Sequence, residues 1–197
     1  MTTDHFPQLD TARLCLRGFR RSDEAAFAGF ATHEEFWRFL PGPALDRELV
    51  ARFVAARVAD AETPNMRDWI FCVEETAMGR APGRPVGMVR LGIASAEHRQ
   101  GNIGFSFDHR IRGQGYASEA MRALLSFGFG ELGLHRITAL ADIDNDRSHA
   151  VLGKLGFRRE GLLRQNFWVR GQWRDSDLFA LLRAEWDSSN GPATDLA

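Results

Sequence analysis

The chain has 197 residues, 44% of them hydrophobic and 26% charged, and a formal charge of −1. That supplies the core of one compact domain, and too little net charge to attract nucleic acid over a whole surface. No apolar run is long enough to span a bilayer, and the opening MTTDHFPQLD has neither the basic flank nor the apolar stretch of a signal peptide, so no membrane partner is expected. Cys15 and Cys72 sit in strand-like runs without metal-ligand spacing, which predicts buried free thiols in a reducing cytoplasm and no bound metal.

In chain order, TARLCLR (11–17) alternates apolar and polar residues and reads as a half-buried strand. Ser22 is placed to cap a helix over 23–31, with Asp23 and Glu24 at its positive end. An aromatic loop, EEFWRFLPGP (34–43), follows. Asp46 then caps a second helix that aligns Leu49, Val50, Phe53 and Val54 on one face. Residues 69–74 and 86–93 read as strands joined by the turn-rich MGRAPGRP, and 101–108 as a third.

A helix is expected from Ala117, with apolar residues at 117, 120, 121, 124 and 125 and Gly130 and Gly133 available to end it. HRITALADI is a strand, NDRSHAVLGKLGF a short helix stopped by Gly156, and 162–170 with 174–182 a hairpin around Gly171. The domain is expected to span 8–186, with 1–7 and 187–197 as flexible tails. The order of strands and helices reads as a mixed α/β or α+β domain around one sheet, and the helix between strands 101–108 and 136–143 implies a parallel crossover within it.

The chemistry concentrates in RIRGQGYASEA (110–120). A glycine turn opening a helix leaves first-turn N–H groups unpaired at the positive end of the helix dipole, and glycine admits a phosphate without Cβ in the way. Arg110 and Arg112 would add countercharge. A tight strand-to-helix turn also wants glycine for geometric reasons alone. The P-loop pattern is absent, since Gly153-Lys154 is followed by Leu155. The dinucleotide pattern fails at Ser118, where its third glycine belongs, so a dinucleotide oxidoreductase is the weakest reading.

Arg110-x-x-Gly113-x-Gly115 resembles the acetyl-coenzyme A pyrophosphate motif of the GNAT N-acetyltransferases. LDTARLCLR, EFWRFLPGP, IGFSFDHRIRGQGYASEA, LHRITA, NDRSHAVLGKLGF and EGLLR, in that order, resemble its RimJ/RimL branch. The resemblance implies a twisted mixed sheet that splays between its fourth and fifth strands (101–108 and 136–143), flanked by about four helices. It implies acetyl-coenzyme A held by Phe105, Ser106, Phe107, Arg110, Ile111, Arg112, Gly113, Gln114, Gly115, Tyr116, Ala117 and Asn145. It further implies direct acetyl transfer, in a ternary complex, to a primary amine on a protein N-terminus or a small molecule, by a monomer or homodimer. Asn145 and Ser148 match the family's Asn-x-x-Ser, with Asn145 on the pantetheine and Ser148 near the sulfur; Asn145 also reads as a helix N-cap.

The sequence departs from the family at its acids. Asn102 replaces a strand glutamate and is left to orient an amine or a water. Asn166 and Phe167 occupy the stretch where some relatives carry a carboxylate. Leu152 stands where many carry a tyrosine. Glu97, His98, Asp175, Asp177 or an ordered water remain as base, and the missing acids leave open a binding module of weak catalytic power. Phe36, Trp37 and Phe39, with Trp168 opposite, are expected to wall the acceptor pocket; core packing is the competing role for each.

Overall fold

In a computed structural model of the chain, which describes residues 6–60, 63, 66–77 and 80–190, eight strands form one sheet in the order β1-β2-β3-β4-β5-β6-β8-β7. The strands are β1 (Leu9–Asp10), β2 (Leu14–Arg17), β3 (Asp68–Ala77), β4 (Arg80–Ser95), β5 (Gln100–Phe107), β6 (Arg136–Asp142), β7 (Arg158–Val169) and β8 (Gln172–Leu182). The helices are α1 (Glu24–Ala31), α2 (Glu34–Trp37), α3 (Arg47–Asp60), α4 (Tyr116–Ser126), α5 (Asp146–Lys154) and α6 (Arg183–Asn190). Among the described residues only β5 and β6 pair in parallel, joined by the crossover through α4.

Pairing between β5 and β6 runs from Gln100↔Arg136 to Ile103↔Ala139 and stops there, although β5 continues to Phe107 and β6 to Asp142. This is the expected splay; the short β1 makes its strands fifth and sixth in chain order. The main core lies on one face of the sheet, where α4 buries Tyr116, Ala120, Met121, Leu124 and Leu125 against Phe71, Leu91 and Ile137. Truncating one such leucine to alanine costs about 2–5 kcal/mol. A second core on the other face gathers Phe27, Phe30, Phe36, Val50 and Val54 from α1, α2 and α3, with Phe19 from the segment after β2.

Several local expectations are corrected. Ser22 lies within a 3-10 turn over 21–23 and does not cap α1; the Asp23 carboxylate accepts the Arg20 amide at 2.7 Å instead. Asp46 does cap α3, accepting the Leu49 amide at 2.8 Å. The aromatic loop contains the short helix α2, begun by His33, whose Nδ1 accepts the Glu35 amide. Pairing of β3 with β4 extends to Ala77↔Arg80, so the strands invade the expected loop; Met78 and Gly79 lie outside the described residues. Residues 187–190 complete α6, whose Trp186 is buried beside Phe129, and Phe6 sets its ring edge-on to Phe71 at 4.9 Å, because each has an apolar ring to bury. The expected four helices become six through α2 and α6.

Candidate active site

The splay leaves the β6-facing edge of residues 104–107 without a strand partner, and a cleft of about 390 Å³ opens there. Phe105, Ser106, Phe107, Ile111, Arg112, Gly113, Gly115, Tyr116 and Ala117 line one lip, and Asn145 and Ser148 the other. The glycine turn works through backbone geometry. Gly113 and Gly115 have φ of +79° and +81°, a region side chains disfavour. A Cβ on Gly113 would meet nothing of the protein within 4 Å, so its surroundings are open. Gly115 is the N-cap of α4 and has no side chain to satisfy the first-turn amides, which remain for an anion at the positive helix end.

Two residues of the expected cofactor set are engaged elsewhere. Arg110 turns back onto Asp108, its Nε 2.9 Å and its Nη2 2.7 Å from the two carboxylate oxygens, and does not line the cleft. Asp108 is fully buried. Burial alone would raise its pKa, but the bonds from Arg110 outweigh it and hold the carboxyl below the usual range. Gln114 contributes its carbonyl, which accepts Arg13 Nη1 at 3.0 Å behind the turn; its side chain is off the lining. Arg13 also bonds Glu119 and lies over the Tyr116 ring at 4.5 Å, bracing the start of α4. The Tyr116 hydroxyl donates to Glu75, which raises the phenol pKa, so the chain's only tyrosine is not a proton donor to the cleft.

On the opposite lip, Asn145 caps α5: its Oδ1 accepts the Ser148 amide at 3.2 Å. Capping and cleft-lining therefore coexist, as the Asn-x-x-Ser spacing allows. The Ser148 side chain has no protein hydrogen bond among the described residues. Leu152 is buried in the main core.

Asn102 is away from this lining, in the paired part of β5 opposite Thr138. Its Oδ1 accepts Arg90 Nη1 at 2.6 Å, and Arg90 Nε meets Asp68 at 2.7 Å. Phe36 and Phe39 line the cleft, but Trp37 and Trp168 do not. Trp37 packs on the second core under Arg170, whose guanidinium lies 4.7 Å above it. Trp168 sits near the tip of the β7–β8 hairpin, more than half exposed and paired with Trp173, because β7 is an edge strand.

None of the candidate bases reaches the cleft. Glu97 and His98 occupy the exposed turn before β5, Asp175 accepts the Gln165 amide at 2.7 Å, and Asp177 faces Arg159 at 2.7 Å and His149 at 3.8 Å. His135 lies outside the lining, just before β6.

Five charged lining residues escaped the sequence reading: Glu35, Arg38, Asp108, Arg147 and Lys154. Glu35 bonds Arg112, with Arg147 at 3.4 Å, and the Arg112 bond, reinforced by its charge, lowers the carboxyl pKa. Arg147, Val151 and Lys154 repeat at helical spacing beside Ser148, a signal the α5 sequence does carry. Among the described residues no group of His, Cys, Asp and Glu is arranged to hold a metal, and no helix is long and apolar enough to cross a membrane.

The uncapped turn, the open strand edge and the cations Arg38, Arg112, Arg147 and Lys154 suit a long ligand with a phosphorylated end. Known proteins resemble the chain in sequence and fold. The uncharacterized N-acetyltransferase YnaD of Bacillus subtilis is 28% identical over 180 residues, covering 91% of this chain and 99% of its own. A GNAT-family acetyltransferase structure from Bacillus anthracis superposes with a TM-score of 0.77 at 27% identity, covering 90% of this chain and 99% of that one. RimJ of Mycobacterium smegmatis, solved in complex with CoA-disulfide, gives 0.74 at 26% identity and 95% of both chains. Residues 13–158 match the acetyltransferase (GNAT) domain, and the chain belongs to that family.

Proposed function

We propose that the chain is an acetyl-coenzyme A-dependent N-acetyltransferase that passes acetyl to a primary amine, on a protein N-terminus or a small molecule, by direct attack with both substrates bound. The observation that carries this reading is the meeting, in one cleft, of an unpaired strand edge at 104–107 with an uncapped glycine turn at 113–115. The edge suits an extended pantetheine arm, the turn suits its diphosphate, and the CoA-disulfide of the RimJ relative supports the same ligand.

An ammonium has no lone pair, so the amine must be neutral before it attacks. Attack places negative charge on the carbonyl oxygen, and an N–H of the open β5 edge would stabilise it. Asn145 and Ser148 orient the arm from the opposite lip, and the Ser148 hydroxyl or water returns a proton to the departing thiolate. Of the two carboxylates lining the described cleft, Asp108 is paired with Arg110, and Glu35 stands beside Arg112 of the glycine turn, at the diphosphate end rather than at the thioester. Water is therefore the acceptor of the amine's proton, and the rate is expected to rise with pH toward the amine's own pKa.

The same pairing favours one alternative, a module that holds acyl-coenzyme A without transfer. Incubation with acetyl-coenzyme A and a panel of peptide N-termini and small amines separates them. Amine-dependent release of free thiol is expected; cofactor binding with no release by any amine would select the module.

A further inference from the structure

Three tethers hold α2 to the strand and turn expected to grip the cofactor. His33 stacks on His109 with ring centroids 4.0 Å apart. The Ser106 hydroxyl donates to the Phe36 carbonyl at 2.9 Å in a buried bond. The third tether is ionic. The Glu35 carboxylate bonds Arg112 of the glycine turn and lies 3.4 Å from Arg147 in the first turn of α5 and 3.6 Å from Arg38.

Arg112 follows β5 and Arg147 follows β6, so they stand on opposite lips of the splay. One carboxylate thus bridges the two lips where the uncapped α4 amides add further positive potential. All four charged groups line the cleft. Glu35 is 29% exposed, Arg112 33% and Arg147 67%, so none of these pairs is sealed from water, and each is exchangeable for a stronger anion. A diphosphate brings more charge and more acceptor oxygens to the same two guanidinium groups than one carboxylate does.

We propose that Glu35 is an internal stand-in for the cofactor's diphosphate: on binding, the phosphates take Arg112 and Arg147 from its carboxylate. This rests on reading the cleft as a coenzyme A site. Cofactor arrival then undoes one of the three tethers on the aromatic wall at 34–40 and leaves the histidine stack and the buried Ser106 bond in place. Glu35 weakens cofactor binding, and in exchange it ties the state of the acceptor wall to occupancy of the phosphate site.

Calorimetric titration with coenzyme A, pantetheine and inorganic diphosphate tests this on the wild type, Glu35→Gln and Glu34→Gln. Glu34 is the exposed neighbour on α2 and carries the same charge change without touching the arginines. Glu35→Gln is expected to bind coenzyme A and diphosphate about three- to tenfold tighter, the worth of one or two part-exposed ion pairs, and pantetheine unchanged. Glu34→Gln is expected to match the wild type. Glu35→Ala repeats the expectation should the glutamine variant fold poorly. Equal or weaker coenzyme A binding by folded Glu35 variants, or an equal gain in Glu34→Gln, overturns the proposal. A wild type that binds no coenzyme A overturns the cofactor reading instead, and the diphosphate titration still tests the exchange at Glu35.

Discussion

Gly113→Glu separates the role of the turn from its shape. At φ +79° a side chain costs about 1–2 kcal/mol of folding stability, whatever the space around it. Space is ample, since a Cβ there meets no protein atom within 4 Å, so the variant is expected to fold. Its carboxylate would enter the cleft beside the uncapped α4 amides, where the diphosphate is proposed to lie. Two like charges about 6 Å apart repel by about 2–3 kcal/mol at an effective dielectric of about 20, which predicts a loss of affinity of roughly thirty- to hundredfold. Gly113→Ala carries the strain without the charge, and about a tenfold loss at most is expected. Calorimetry with coenzyme A gives the affinities, and thermal melts show that each variant is folded. Undiminished affinity in folded Gly113→Glu would refute the reasoning.

Other outcomes follow from charges and thiols away from the turn. Arg17 lies buried between Asp23 and Glu74, so Arg17→Met strands two buried carboxylates; a loss of about 3–5 kcal/mol in urea unfolding is expected, and a loss below about 1 kcal/mol would contradict it. The Asp108 pKa is lowered in the fold, so its contribution to stability is present above the ordinary carboxyl pKa of about 3.9 and is lost as pH falls through the folded value. The gap in urea midpoint between wild type and Asp108→Asn should therefore be widest near neutral pH and shrink below about pH 4; a gap that widens in acid would be evidence against it. Burial, then the Asp10 carboxylate, pushes the Cys15 thiol up to about 11, and burial pushes Cys72 higher still. Neither is expected to react with a disulfide reagent at pH 8 until the protein is denatured, and fast reaction of the native protein would disprove their burial.

What the sequence revealed and what it hid divide along a physical line. The glycine turn, the Asn145 cap and the α4 stripe were legible because each is dictated within a few residues: a positive φ wants glycine, an N-cap wants a short polar side chain, and a helix face repeats. The splay needed only the parallel crossover together with the family resemblance. The Glu35 bridge left no local trace, since its partners Arg112 and Arg147 lie 77 and 112 residues along the chain. Arg110 looked like countercharge for a phosphate, yet Asp108 two residues earlier was the better partner at hand. Trp168 was assigned to a pocket because it is aromatic; the position of β7 at the sheet edge, which no local pattern discloses, exposes it instead. Asn102 kept the register of the family's acid, but Arg90 from β4 claims its side-chain oxygen.

The central claim is that one groove, formed by the open edge of β5 and the first turn of α4, grips a coenzyme A molecule along its length. Titration of nitrogen-15-labelled protein with coenzyme A reads this amide by amide. The account predicts saturable shifts largest at 104–107 and 113–118, with the signal of Arg112 moving among them. Shifts confined to another surface, or an unmoved glycine turn at saturating ligand, would contradict it.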